Sequence, residues 1–391
     1  WRRNWWAEVR EREFDRGTNQ MSLDLVERAA FHVHLSDQTP KDLVDQARLL
    51  MHGDGKSLWF DKSVTIVTFP NGKAGLMCEH SYADALTNAH MWEWLMSGEA
   101  KEGHLTGPDS HTKGYDAVDV GAVPKATRLT WRMTAELKEA IAKAVAHNLE
   151  AIDNLDHTIL QFEDWGKGFI KKARCSPDAF AQLAMQLAYR MDTGKGALVY
   201  ESSVTRFFSH GRTETVRSLS IESKAFVDAM LDDKASNAER VKRFRAAAEK
   251  HSDLYKNAMV GQGVDRHLFG LYLVMRGFRW AKEDDFISQA IRIPWTLSTS
   301  QSPQNQTTGR WDPNGKDAKM ISPGGGFGPV DKDGYGVSYM FPNDNVIFAH
   351  VSSKKNSKDT DSTRFKNNIA AAFKRIRACI EADDATKSKA N

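Results

Sequence analysis

Ser63-Val-Thr-Ile-Val-Thr-Phe69, Pro70-Asn-Gly-Lys73 and Ala74-Gly-Leu-Met-Cys78 decide the fold class. The first run alternates and is rich in β-branched residues, the second is turn chemistry, and the third resumes an apolar run. Together they read as a β-hairpin whose second strand leads straight into Glu79-His80. Outward from the hairpin the period becomes helical. Leu23, Val26 and Ala30 lie on one helix face, with Asn19 or Ser22 as possible caps, and residues 84–96 read as a core-facing helix ending near Gly98. Leu137, Ile141, Val145 and Leu149 recur every four residues between Thr134 and Asn154. Ser176-Pro-Asp178 opens a further helix through Tyr189, with serine as N-cap and proline in the first position. Ala197–Tyr200 reads as a short strand and Glu239–Phe278 as mostly helical. After Pro294 the texture turns to strand at Leu297–Thr299, Gly336–Met340 and Val346–Val351, and Thr363–Ile380 closes as an amphipathic helix. Helices on mixed strands make the chain mixed α/β. The Gly-, Pro- and Asp-rich segment from Glu99 to Pro124 is the expected boundary, giving a first lobe over 1–130 and a second over 131–391.

Composition narrows the function classes. With 391 residues, 41% of them hydrophobic, and only 27 Gly and 11 Pro, the chain is neither disordered nor collagen-like. Fifty-four basic against 51 acidic residues leave a net charge of +3, no general footprint for nucleic acid. Cys78, Cys175 and Cys379 are far apart and odd in number, which fits a reducing compartment better than a disulfide framework or zinc cage. No run of about 18 apolar residues marks a membrane span. The opening Trp1, with Trp5, Val9 and Phe14 spaced among charges, reads as mid-helix and raises the expectation of a longer polypeptide.

Chemistry concentrates in a few clusters. His80, at a strand end and followed by Asp84, suits a general base, because imidazole titrates near neutral pH. A buried histidine beside a helix-start aspartate would look the same. Cys78 could be a thiol nucleophile or a packing residue. Gly166-Lys-Gly-Phe-Ile-Lys-Lys-Ala-Arg174 carries four cations and no acid ahead of the helix at Pro177, a receptor for phosphate or an exposed basic turn, without Walker spacing. Tyr200-Glu-Ser202 and Gly211-Arg-Thr-Glu-Thr-Val-Arg217 combine guanidinium with hydroxyl groups, as a carboxylate receptor or a salt-bridged turn would. Arg266 sits among Val264, Leu268 and Phe269 and requires an anion, either a structural aspartate or a ligand. Gly324-Gly-Gly-Phe-Gly328 lacks dinucleotide spacing, and His32 with His34 lacks a third metal ligand.

Taken in this order, the clusters resemble the carnitine/choline acyltransferase family from about Asn19 to Arg377. The resemblance is nearest to carnitine palmitoyltransferases of the mitochondrial outer-membrane type, through Trp59-Phe-Asp-Lys62, Gly166-Lys-Gly, Ser176-Pro-Asp-Ala-Phe180, Gly211-Arg-Thr-Glu-Thr-Val-Arg-Ser218, Gly263-Val-Asp-Arg-His-Leu-Phe269, Leu297-Ser-Thr-Ser-Gln301 and Gly324-Gly-Gly-Phe-Gly-Pro-Val330. It implies two chloramphenicol-acetyltransferase-like lobes with the active-site tunnel between them, the first lobe incomplete in this chain. It also implies that His80 deprotonates the carnitine hydroxyl for direct attack on the thioester, that Ser300 supports the oxyanion, and that Asp84 orders the site through an arginine. Tyr200, Thr213 and Arg266 match carnitine-binding positions, and Lys167, Lys171 and Asp178 match CoA-binding ones. Acyl-CoA is then a substrate, with no bound cofactor and no metal, and the partners are long-chain acyl-CoA and L-carnitine rather than nucleic acid. The implied location is the cytosolic face of the mitochondrial outer membrane, with attachment through missing N-terminal segments. Tyr82 stands where the outer-membrane type usually has tryptophan, a change in packing around the site. Competing expectations are a non-catalytic acyl-CoA or malonyl-CoA sensor, a shorter chain preference, and a hydrolase using Cys78 or a serine. The last is weakened by the absence of Gly-x-Ser-x-Gly.

Overall fold

The computed structural model describes residues 3–102, 125–280, 282, 285–302, 312–315, 318 and 321–390. It is mixed α/β, in two compact units, one covering Trp1–Leu155 and the other most of Asp156–Asn391.

The first unit runs α1 (Arg3–Glu13), α2 (Gly17–Arg28), β1 (His32–Leu35), α3 (Leu43–Met51), β2 (Val64–Thr68), β3 (Ala74–Cys78), α4 (Ala85–Glu102) and α5 (Ala135–Asn154). The hairpin forms as its sequence requires, with Val64 opposite Cys78 and Thr68 opposite Ala74 in an antiparallel ladder. β1 adds in parallel along the other edge of β2. Leu58, Val67, Phe69 and Met77 bury against Leu49 and Leu50 of α3, while Val9 of α1 packs on Leu137 and Ala140 of α5. α5, read from the sequence as opening the second lobe, lies in this unit, with Thr134 as its N-cap.

Two boundaries differ from expectation. Asn19 and Ser22 are not caps, because α2 already starts at Gly17. Both are buried inside the helix and clamp a neighbouring segment, Asn19 through Arg132 N–H and O, and Ser22 through the Thr130 carbonyl. α4 passes through Gly98 to Glu102, since a lone glycine costs a helix about 1 kcal/mol without ending it. The rest of the expected boundary segment, 103–124, lies outside the described residues. Lys62, noted only as part of a motif, is buried and donates to the carbonyls of Glu27 and Ala29 at 2.9 and 2.8 Å, satisfying groups that the end of α2 leaves open.

The second unit comprises β4 (Leu155–Phe162), α6 (Lys167–Lys172), α7 (Pro177–Thr193), β5 (Val199–Val204), β6 (Thr213–Val216), α8 (Ile221–Leu231), α9 (Asn237–Met259), α10 (Asp265–Gly277), α11 (Phe286–Arg292), β7 (Leu297–Gln301), β8 (Tyr335–Met340), β9 (Ile347–Lys354) and α12 (Ser362–Ala390). Its six-stranded sheet has the order β4-β9-β8-β7-β5-β6, with β5, β7 and β8 mutually parallel, β6 antiparallel to β5 and β9 antiparallel to β8. β8 and β9 are buried almost end to end, as central strands covered on both faces are. α7 is buried from Ala179 to Tyr189 and packs on α12, α8 and α9. Phe180, fully buried, meets Trp165, Phe244 and Phe373 at centroid distances of 5.5–5.8 Å, contributing about 1.5–3 kcal/mol by burial. The Ser176 cap and Pro177 start are as expected.

Here β5 begins two residues later than expected and extends to Val204, α12 continues past Ile380, and β4 and β6 were not anticipated. β4 follows α5 directly after Asn154, and its burial alternates only over Thr158–Phe162, too short a run to mark the strand from its start. β6 is a polar four-residue edge strand. Among the described residues no helix is long and apolar enough to cross a membrane.

Candidate acyl-transfer site

His80 lies just past β3, held by the strand's end rather than by a free loop. Glu79 N–H still donates to Ser63 O at 3.2 Å, one step beyond the ladder. Ser81 then donates its N–H and its hydroxyl to the two carboxylate oxygens of Glu79, at 2.8 and 2.6 Å, closing the turn around His80. The imidazole is 73% exposed, and its Nδ1 stands 3.8 Å from Oδ1 of Asp84, within ion-pair range but too long for a hydrogen bond. Tyr82 donates to Asn88 at 2.8 Å. Cys78, the last residue of β3, is an unpromising nucleophile: desolvation pushes its thiol up to about 11.

The remaining candidates are in the second unit. Gly166 and Gly168 both donate backbone N–H to Asp344 O, at 2.9 and 3.2 Å. A Cβ at Gly166 would stand 2.6 Å from Val346 N, so the Gly-Lys-Gly spelling reflects a backbone crossing at contact distance. That crossing fixes Lys167, whose ammonium donates to Phe341 O at 3.2 Å. Burial, and then the like charge of Lys171 one turn on, hold Lys167 below the ordinary lysine value. Two cations at this spacing repel one another, and an anionic phosphate would relieve both.

Arg266, in the first turn of α10, reaches back to β6. Its Nε donates to Thr213 O at 2.9 Å and its Nη2 to Thr213 Oγ1 at 3.1 Å. The aspartate next to it in sequence, Asp265, is taken by Arg217 in a bidentate pair at 2.9 and 2.7 Å. Arg217 also lies 5.0 Å over the ring of Trp295, which meets Tyr200 edge-on at 5.5 Å. Thr213 and Arg266 are thus brought together, and the exposed guanidinium bonds only neutral oxygens of Thr213 in these contacts. Ser300 is half-buried on β7 opposite Ser338 of β8. Thr299 before it is fully buried, donates to Tyr200 O at 2.8 Å and accepts from Gln182 at 2.8 Å.

With these residues placed, comparison with known proteins decides the family: residues 1–371 match the profile described as Choline/Carnitine o-acyltransferase. The chain belongs to that family. It is 45% identical over 383 residues to carnitine O-palmitoyltransferase 1, liver isoform, of Homo sapiens, covering 94% of this chain and 48% of that protein. It is 31% identical over 382 residues to choline O-acetyltransferase of Sus scrofa, covering 95% of this chain and 56% of that protein. The chain therefore spans about half the length of the curated relatives it matches. Among solved structures, the epimerization domain of tyrocidine synthetase B aligns over 91% of this chain and 81% of that one, at 12% identity and a TM-score of 0.45, too loose to carry an argument.

The choline/carnitine acyltransferase chain also contains a buried polar centre that the motifs did not reveal. Asp178, Glu201 and His251 each place a ligand-type atom within 4.8 Å of the others. Burial pushes both carboxyl groups above the ordinary range and His251 below its own. Asp178 was expected to face CoA, and its carboxyl group is engaged with Tyr339 at 2.5 Å and with Glu201. The signal available in the sequence was Glu201 itself, an acid in the strand Val199-Tyr-Glu-Ser-Ser-Val204 whose alternate residues are buried. The glycine run is a packing device: a Cβ at Gly326 would stand 3.0 Å from His157 and 3.1 Å from His350.

Proposed function

We propose that this chain is part of a carnitine O-acyltransferase that moves a long-chain acyl group from CoA to the hydroxyl of L-carnitine. His80 takes the hydroxyl proton, the alkoxide attacks the thioester carbonyl directly, and the CoA thiolate leaves. Ser300 donates to the oxyanion, Asp84 orders the histidine's surroundings, and Lys167 and Lys171 meet CoA, while Asp178, whose carboxyl is engaged with Tyr339 and Glu201, supports that side of the site from within. Tyr200, Thr213 and Arg266 receive the carnitine carboxylate. The reading includes the two lobes and tunnel that the family resemblance implied, and a location on the cytosolic face of the mitochondrial outer membrane through segments outside this chain. The palmitoyl acceptor chemistry named for the 45%-identical relative supports long-chain preference.

The observation that carries the choice of acceptor is the Arg266–Thr213 pair. An exposed guanidinium preorganised by neutral oxygens retains its full charge for a carboxylate, which carnitine has and choline lacks. The test is CoA-thiol release from palmitoyl-CoA by the full-length protein with L-carnitine, with choline, and with neither. Release only with carnitine is expected. Release with choline would reassign the acceptor, release with neither would mean a hydrolase, and CoA binding without release would mean a sensor.

Arg266→Ala is expected to raise the carnitine KM about 10- to 100-fold, the loss of a charge-assisted hydrogen bond of about 1.5–3 kcal/mol, while the palmitoyl-CoA KM moves little. Steady-state kinetics with each substrate varied in turn would check it. An unchanged carnitine KM would remove Arg266 from the acceptor site.

A further inference from the structure

Glu201, on β5, is 1% exposed. Its Oε2 accepts from the Ser218 hydroxyl and from His251 Nε2, the latter at 2.8 Å. Its Oε1 is equally buried, and among the described residues no N–H or O–H donor reaches it. The group that faces it is the carboxyl of Asp178, within hydrogen-bonding reach. Two carboxylates in that position would leave Oε1 without a donor and two like charges buried together, each a cost of several kcal/mol in isolation. A proton on one of them removes both problems.

Three titratable groups face the pair from two further elements: His251 and Tyr255 from α9, and Tyr339 from β8. None of the groups acting on the two carboxyls is a lysine or arginine. Desolvation holds His251 below its ordinary value, the Asp178 carboxyl acts on it in the opposite direction, and the ring reaches Glu201 Oε2 through Nε2. Glu201 has two donors on Oε2, whereas Asp178 receives one, from Tyr339. The negative charge therefore belongs on Glu201 and the proton on Asp178.

We infer that Asp178 and Glu201 share a single proton, Asp178 as the acid donating to Oε1 of Glu201, and that Glu201 acts through this pair as a positioning residue for Tyr200 and Ser300. Tyr200 is its neighbour on β5. From Asp178 the chain of contacts runs through Tyr339 to Gln182 at 2.9 Å, on to Thr299 at 2.8 Å, and from Thr299 to the Tyr200 carbonyl. The positioning role rests on the proposed acyl transfer, whereas the shared proton does not. A divalent cation is the rival occupant of the same three side chains. It would need Asp178 deprotonated and would have to enter between Glu201 and His251, which are already in direct hydrogen-bond contact.

The test uses the full-length protein and its Asp178→Asn and Glu201→Gln variants. At neutral pH the parent is expected to show a protonated-carboxyl carbonyl stretch in the infrared that both variants lack. Burial holds Asp178 up at about 8, against about 4 when unfolded. Between those values the folded chain keeps a proton that the unfolded chain releases, so stability falls as pH rises through the window and levels off above it. Relative to Asp178→Asn, the parent Tm should drop by about 3–6 °C between pH 5 and pH 8. In Glu201→Gln, Asp178 becomes the sole anion and the slope flattens. Loss of the shared proton should lower the parent's kcat for carnitine-dependent release as pH rises from about 6 to about 8, and Asp178→Asn should not show that fall. Absence of the band in the parent, equal pH slopes in parent and Asp178→Asn, or one equivalent of bound zinc whose chelation removes the slope would each overturn the inference. Failure of carnitine-dependent release alone, with band and slope intact, would remove only the positioning role and the function it rests on.

Discussion

Replacing His80 by alanine is expected to lower kcat for carnitine-dependent thiol release by about 10²–10⁴-fold, the contribution of a positioned general base. CoA and carnitine affinities should stay within a few-fold of the parent, because the proton moves only in the transition state and ground-state binding does not depend on it. The structure separates this chemistry from stability. The imidazole is 73% exposed, and the turn that carries it is closed by Glu79 and Ser81 rather than by the ring. Truncation should therefore change folding stability by no more than about 0.5 kcal/mol. His80→Gln retains a hydrogen-bonding side chain without a comparable base, and it should fall as far as alanine. Single-turnover kinetics with saturating palmitoyl-CoA and L-carnitine would check both variants. Turnover within a few-fold of the parent in either one would remove His80 from the role of base.

The parts of this molecule that could be read in advance are those whose cause is local. The hairpin at residues 64–78 follows from alternation and Pro-Asn-Gly, and the start of α7 follows from Ser176-Pro177. β4 was missed because its determinants are distant. The helix before it ends at Asn154 as read, but Leu155–Phe162 is a strand by virtue of its neighbours in the six-stranded sheet. Asn19 and Ser22 misled for the same reason. Each has the chemistry of a cap, but each spends it on backbone more than a hundred residues away.

The candidate site divides along the same line. Arg266 was legible as a cation in need of a partner, but not which one. The resemblance placed it with Thr213 in one binding site, while the residue reading left open a structural aspartate or a ligand, and the neighbouring Asp265 is taken by Arg217. The Asp178–Glu201–His251 centre draws on α7, β5 and α9, so no window of sequence contains it. The sequence showed Asp178 only at a helix start, and the resemblance set it at CoA. Burial and its neighbours make it an acid.

Ser300→Ala is expected to cost about 10²–10³-fold in kcat, the range for removing one preorganised oxyanion donor, with both KM values within a few-fold. The case for preorganisation lies in the residue before it. Thr299 is fully buried and fastened on both sides, accepting from Gln182 and donating to the Tyr200 carbonyl at 2.8 Å each. The parallel ladder sets Ser300 opposite Ser338. The backbone at Ser300 is thus fixed before any substrate arrives, so only the rotation of its side chain remains to be ordered as charge develops on the thioester oxygen. Ser300→Thr keeps the hydroxyl and adds a methyl group that a strand accommodates, so it should recover most of the lost rate. If alanine and threonine lose rate equally, the loss reflects shape rather than the hydroxyl. If alanine retains the parent kcat, the oxyanion is held by another group, and the Thr299 anchor then serves the register of β5 and β7 alone.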